Sequence, residues 1–598
     1  MAGEHTEDIE LTAYQVKVRE AIRGLINSGF IREAEQAIAE YEQMILDDAE
    51  MYSIKAVAAM LDGRLDDAEE IINKGLAYND KNFDLLYNLG YIHREKDNIR
   101  QAIGQYELAY LFAPSNEVRQ QIKQDIALLR KNIVNYSEKA HVPLVSIVVL
   151  AYNQLDYTKL CVESIFRHTM GIDYELITVN NGSSDETQEY FDSLPNARVV
   201  TLPENVGPVN GFNAGLKIAV GKYTAGVCND FIFTANWMDN LLKCIESDNR
   251  IGFVSPGSSN ISNGQQINGS YSNIAEMQEF AKNYNISDSA KWEERVRLLP
   301  NVLMVRTELF RKLGYYDPRF YFGEFADDDF AFRIRREGYK LIFMRDTFVY
   351  HFGSISTGEN QRKSNSLEVS RKIFSNKHGI DAWEEASYDN VLVQAATRQP
   401  KTKPRILGIN TACGATPLQI KNKLKKDHME TICIWNITNE GRFLQDLMTV
   451  STGAALTNVN NFRYSWSGEK FDIIVFERDF ERAQPIKETM ESLKSLLAEG
   501  GQLFIKVQNP TYFLRIGCLL NGLELSQNNV INSFIDKDKF INQVQEIGFN
   551  HIEVISCKAN ITQKDHLMLE ELVNLKLVTN KMAVKDLLEV AYFIYCIR

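Results

Sequence analysis

Acidic residues and one histidine stand where apolar runs end in the middle of this chain. Asp230 lies just past a strand-like segment, Asp327, Asp328 and Asp329 follow Ala326 well downstream, and His351 closes the run Leu341 to Tyr350. One carboxylate and one imidazole can hold a divalent cation, and a second carboxylate can take a proton. Such a set suits metal-dependent group transfer. Each member also has a plainer use. An Asn-Asp pair after a strand makes a turn, and a lone histidine at a strand end can be structural. Acids at a helix start are favoured by the helix dipole, which is expected to keep Asp327 ionised. Asp329 and Arg333 are spaced to pair across one helical turn.

Groups of this kind need a sheet with polar strand ends to bring them together, and residues 141–380 have that pattern. The apolar run Val145 to Leu150 stops at Ala151-Tyr152-Asn153, and a helix is expected over 156–167. A second buried strand, Tyr174 to Val179, ends at Asn180-Asn181-Gly182-Ser183. Buried strands with polar, glycine-bearing C-terminal ends describe a parallel α/β sheet whose ligand crevice lies at those ends. The stretch Gly207 to Gly215 would let backbone approach a bulky polar ligand.

Two other segments flank this one. In residues 10–139, Gly29-Phe30-Ile31-Arg32-Glu33-Ala34 recurs as Gly63 to Ala68 and again as Asp97 to Ala102, each time 34 residues on. Ala34, Ala68 and Ala102 stay in phase, as do Ile38, Ile72 and Tyr106. This resembles tetratricopeptide repeats, helix pairs that bury their faces only by stacking. Residues 381–402 read as a linker, and the connector Ala395 to Pro404 carries Pro400 and Pro404. Residues 403–598 begin again with a strand, Arg405 to Ile409, followed by Phe471 to Phe476 and Gly501 to Val507.

At 598 residues the chain exceeds one hydrophobic core. Its net charge of −13 argues against non-specific nucleic-acid binding. Eight scattered cysteines without a CxxC pair suit reduced thiols and exclude a zinc ribbon. The polar N-terminus lacks a signal-peptide pattern, and no apolar run is long enough to span a membrane. A cytoplasmic location without an integral membrane segment is therefore expected.

From Pro143 to Ser354 the order of motifs resembles family-2 glycosyltransferases of the GT-A fold. The matching pieces are Ala151-Tyr152-Asn153, Val179 to Ser183, Asn205-Val206-Gly207, Gly211 to Gly215, Cys228-Asn229-Asp230, Ala326 to Asp329, and His351. The resemblance implies a nucleotide diphosphate sugar held by Ala151, Tyr152, Asn153, Asn180, Asn205, Gly207, Gly211, Asn213, Cys228, Asn229 and Asp230. It implies Mn2+ or Mg2+ on Asp230 and His351, and Asp327 as general base, with Glu324 its nearest rival. Asn180 stands where the family usually carries an aspartate that accepts the uracil NH. An amide both accepts and donates, so strict uridine preference is not fixed by it. Cys228 replaces the first acid of the family's Asp-x-Asp motif.

Residues 403–560 resemble S-adenosylmethionine-dependent methyltransferases, from the Ile406 to Gly414 strand and turn and the Glu499-Gly500-Gly501 turn. The glycine loop is reduced to Ala412-Cys413-Gly414-Ala415. The ribose-binding acid is replaced in the run Ile434-Trp435-Asn436. S-adenosylmethionine binding is therefore not expected, and the domain reads as non-catalytic.

The expected architecture is multidomain α plus α/β: helical repeats, a GT-A fold and a Rossmann-like methyltransferase fold. The expected reaction is inverting transfer of a hexose or N-acetylhexosamine from a UDP-sugar, such as UDP-GlcNAc, to a hydroxyl. The architecture resembles bacterial enzymes that glycosylate flagellin or other surface proteins, so the acceptor would be a protein recruited by the repeats. The rivals are extension of a surface glycan or lipid-linked saccharide, a bifunctional transferase and methylase, and a non-catalytic binding scaffold.

Overall fold

The structure is a computed structural model that describes residues 4–45, 48–134, 142–353, 365–397, 403–426 and 430–458. Beyond these it describes 468–483, 485–509, 537–558, 589–598 and a few isolated positions.

Glu4–Asn27 to Asn116–Val134 is a helical array. Helices begin at Ile31, Leu65 and Ile99, and their partners at Ala49 and Phe83, so both series keep the 34-residue period of the sequence. Ala34, Ala68 and Ala102 are fully buried, which explains why the phase admits only small side chains there. The array is not detached. Leu108, Tyr110, Ile122 and Ile126 share one apolar core with Cys161, Ile165 and Phe166 of the next domain.

The middle domain is a mixed sheet built from β1 (Val145–Ala151), β2 (Tyr174–Asn181), β3 (Arg198–Leu202), β4 (Tyr223–Cys228), β5 (Phe231–Ile232), β6 (Ile251–Ser258), β7 (Trp292–Arg295), β8 (Leu303–Arg306) and β9 (Lys340–His351). The strand order is β3-β2-β1-β4-β8-β6-β9-β5, with β7 also on β9. Strands β3, β2, β1 and β4 are parallel, and every residue of β1 is buried. That burial is why its sequence is continuously apolar rather than alternating. The expected helix is present as Leu155–His168.

A second sheet has β10 (Arg405–Ile409), β11 (Cys433–Thr438), β12 (Gly453–Leu456), β13 (Phe471–Phe476), β14 (Leu497–Gln508), β15 (His551–Lys558) and β16 (Glu589–Ile597). Its order is β12-β11-β10-β13-β14-β16-β15. The first five strands are parallel, and β16 runs antiparallel to both its neighbours.

The segment expected as a linker differs from that expectation over 381–397. Helices Ala382–Glu385 and Asn390–Ala395 form there, each begun by an aspartate, Asp381 or Asp389, that caps backbone N–H groups. Ala382, Leu392, Val393 and Ala396 are buried in a core that runs from Phe330 and Phe343 of the middle domain to Ile406 and Phe504 of the C-terminal one. Apolar residues at helical spacing, not Pro and Gly, dominate these positions, so the segment packs as a wedge between two domains.

Candidate functional site

The parallel register sets Ala151 beside Asn180, and Leu150 beside Cys228, so the polar ends of β1, β2 and β4 open on one crevice. Asp230 follows β4 and is carried to His351, 121 residues away, by the short antiparallel pairing of β5 with β9. Phe231 lies opposite His351 in that pairing, and its ring stacks on the imidazole at 4.2 Å between centroids.

The histidine is oriented by backbone. Its Nδ1 donates to the Asn260 carbonyl at 2.8 Å, which leaves Nε2 facing Asp230 Oδ2 at 3.3 Å. A carbonyl can only accept, so the Nδ1 proton is fixed and Nε2 is the atom available to a ligand. Burial opposes a charge on the ring, but Asp230 outweighs it and holds the imidazole above its usual pKa. The other oxygen of Asp230, Oδ1, is buried without a hydrogen-bond partner. An oxygen and a nitrogen so spaced resemble neighbouring ligands on one cation, about 3 Å apart for bonds of about 2.1 Å. With an orphaned carboxylate oxygen beside them, these residues fit a divalent ion. Among the described residues no group of three or more His, Cys, Asp or Glu is placed to hold a metal.

Asp327 begins the helix Ala326–Arg336, entered through Phe325 at a φ of 62°. Burial and the neighbouring charge of Asp328 push its carboxyl up to about 7, against the Tyr316 hydroxyl and Arg297, which favour the ionised form. The dipole does not keep it firmly ionised, because desolvation and a like charge one residue away exceed it. The Cys228 thiol lies in the fields of both Asp230 and Asp327, and those charges add to burial in raising it. Both carboxylates are thus near enough to Cys228 to act on it. Glu324 has one oxygen bonded by Ser366 at 2.6 Å and the other buried without a partner. The other two acids of the run are structural. Asp328 pairs with Arg297, and Asp329 holds Arg333, Lys377 and His378.

Several residues expected on the donor are committed to the scaffold instead. Asn213 is buried, donating to the Tyr316 carbonyl at 2.9 Å and accepting from its N–H at 3.0 Å. Asn229 is buried and donates to the Asn153 carbonyl and Thr158. At Gly211 a side chain would meet Leu150 at 2.7 Å, so this glycine lets the helix Gly207–Leu216 lie on the sheet rather than a ligand approach it. Asn180 is also buried. Its oxygen accepts from the Ser183 N–H and its amide donates to Gln188, both at 2.8 Å, so it braces the turn after β2. Asn205 remains exposed, its oxygen accepting from Asn181 and Gly207. Gly207 has a φ of 81°, and a Cβ there would meet the Tyr321 carbonyl at 2.6 Å. Tyr152 and Asn153 are half-buried at the crevice, and Asn153 accepts from the Ser184 N–H. Sequence reasoning missed Asn260, which acts through its backbone and leaves no residue signature. It also missed Tyr316, which sits outside every motif.

Residues 146–310 match the family model for glycosyl transferase family 2. The middle of this chain is a family-2 glycosyltransferase domain. Residues 374–554 match a methyltransferase domain model, which takes in the wedge segment and the second sheet as far as the start of β15. An uncharacterized glycosyltransferase of Haemophilus influenzae is 30% identical over 113 residues, covering 18% of this chain and 35% of its own. The hyaluronan synthase of Pasteurella multocida is 33% identical over 136 residues, covering 21% of this chain and 14% of its own. The chain thus spans at most 35% of the length of these two curated relatives. Among solved structures, a mannosyltransferase from Pyrobaculum calidifontis in complex with GDP-Man and Mn2+ is 17% identical with a TM-score of 0.29. That alignment covers 46% of this chain and 76% of that one, and so slight a likeness carries no argument here. The glycosyltransferase domain is accompanied by no helix, among the described residues, long and apolar enough to cross a membrane.

In the methyltransferase-like domain, β11 runs on to Thr438, so Asn436 lies within the strand rather than at its end. Its amide is used internally, accepting from Thr411 and donating to Ser451. An acid does stand past the strand end, Glu440, where the sequence analysis expected none, and it bonds Arg442. Glu385 of the wedge lies beside the loop after β10. Its carbonyl accepts from the Cys413 N–H in the loop after β10, and its carboxylate is held by Arg442 at 2.7 and 2.9 Å.

Proposed function

We propose that the glycosyltransferase domain moves a hexose or N-acetylhexosamine, with inversion, from a nucleotide diphosphate sugar to a hydroxyl. The observation that carries this reading is the Cys228 thiol lying in the fields of both Asp230 and Asp327. Two carboxylates acting on one thiol support a metal-binding pair and a base of pKa about 7 lying near each other. Asp230 and His351 would hold Mn2+ or Mg2+, which when bound offsets charge on the diphosphate. Asp327 takes the proton of the acceptor hydroxyl as its oxygen bonds the anomeric carbon. The bond from that carbon to the diphosphate breaks, and the nucleotide diphosphate leaves. A carboxyl that titrates near neutrality suits this task, since it is basic enough to accept yet ionised in use.

The donor is a UDP-sugar, such as UDP-GlcNAc, on the family resemblance alone, because Asn180 is spent on its own turn. The helical repeats, packed on the glycosyltransferase domain, favour a protein acceptor such as flagellin or another surface protein. A second reading, extension of a glycan, is favoured by the match to a relative named hyaluronan synthase. The C-terminal domain does not use S-adenosylmethionine, because Glu385 lies between the loop after β10 and Arg442. The test is incubation of the full chain with a panel of nucleotide sugars and Mn2+, reading free nucleotide. Release from one donor supports the reading. Folded protein that releases nucleotide from none would favour the binding scaffold.

A further inference from the structure

We infer that Asp446 of the C-terminal domain is a positioning residue for proton transfer, clamping the helix that carries Asp327 from its far end. This rests on the reading of Asp327 as the base. The C-terminal domain would then serve the glycosyltransferase as a brace, a use separate from any cofactor.

Arg335 and Arg336 end the Ala326–Arg336 helix, and both point out of their own domain. Arg335 Nη2 donates to Asp446 Oδ1 at 2.7 Å, and its Nη1 to Thr449 Oγ1 at 2.6 Å and the Asp446 carbonyl at 3.2 Å. Arg336 meets the same carboxylate, with Nε 2.9 Å from Oδ1 and Nη2 2.8 Å from Oδ2. The Asp446 side chain is 0% exposed and that of Arg335 2%. Burying one carboxylate between two guanidiniums from another domain is costly unless geometry is tightly kept, so the contact resists small displacements.

The same arginine reaches the near end of the helix by a second route. Arg335 Nε donates to the Val296 carbonyl at 3.1 Å, and the next residue, Arg297, pairs with Asp328 beside the base. Asp446 thus fixes Arg335, Arg335 fixes Val296, and Arg297 fixes the neighbour whose charge acts on Asp327. The helix spans about 12 Å from Asp327 to Arg335. A rigid rod pinned at its far end transmits a tilt there to its tip. A misplacement of about 1 Å at a reacting group can cost about 10²-fold in rate.

The test uses the full chain and the donor identified by nucleotide release, with Asp446→Asn, Asp446→Glu, Thr449→Val and Asp327→Asn in parallel. Asp446→Asn should lower kcat about 10-fold or more with donor KM within about twofold, and move the acid limb of the pH profile. Asp446→Glu should recover part of the loss, and Thr449→Val, which removes one bond to Arg335, should give a smaller loss of the same kind. Hydrogen exchange over 326–336 should quicken in each folded variant. If Asp446→Asn does not fold, Thr449→Val decides by the same readouts. Wild-type kcat, pH profile and exchange in the folded variants, with Asp327→Asn inactive, would overturn the brace alone. Wild-type turnover in Asp327→Asn would overturn the reading on which it rests.

Discussion

Replacing Asp327 with asparagine keeps the shape of the side chain and removes its ability to accept a proton. Turnover should fall by about 10²-fold or more with donor binding almost unchanged. In the wild type, activity should rise with pH through about 7, the value to which burial and Asp328 push the carboxyl from an ordinary 3.8. The same shift has a cost in stability. A carboxyl whose pKa is raised on folding favours the folded state while protonated. That advantage is whole below about pH 4 and is lost as pH climbs through about 7. Above that, the ionised wild type bears at most about 4 kcal/mol, from about three pH units at 1.36 kcal/mol each. Asp327→Asn should therefore match the wild type in thermal melts at pH 3.5 and exceed it at pH 8.5. A gain of about 2–4 °C per kcal/mol is expected for a domain of this size. Melting curves that coincide at both pH values would refute the raised carboxyl. Full turnover in the variant would refute the base.

Asp328→Asn removes the negative neighbour that raises Asp327, so the acid limb of the pH profile should move to lower pH. It should also destabilise the fold by about 3–5 kcal/mol, because Arg297 loses its buried partner; an unchanged profile and melt would count against both roles. EDTA should abolish transfer and Mn2+ or Mg2+ restore it, and His351→Ala should raise the metal concentration needed at least 10-fold; full turnover in EDTA would remove the metal. Calorimetry of the full chain with S-adenosylmethionine should show no binding; micromolar binding by the wild type would revive a methylase.

The elements were legible where one local pattern governs them. The largely apolar runs that begin β1 and β2, the 34-residue helix period and the Asp329–Arg333 pair each follow from spacing within a short stretch. The wedge at 381–397 was not legible, because Pro400 and Pro404 suggested a linker while the burial of Leu392 and Ala396 depends on two domains meeting. The internal bonds of the asparagines were not legible for a similar reason. Asn180, Asn213 and Asn229 have the residue type that binds ligands, but an amide satisfied by backbone serves the fold equally well.

The sequence by itself determined which side chains could take a proton or hold a cation, since Asp230, Asp327 and His351 are fixed by type and stand at the ends of elements it also encodes. The tertiary structure decided what they do together. Only the β5–β9 pairing sets Asp230 against His351, and only the Asn260 carbonyl chooses the ring nitrogen that faces it. The pKa of Asp327 belongs to no residue of the motif alone. It is set by how much water the fold removes and by the charges of Asp328 and Arg297, and these depend on distance in space rather than along the chain.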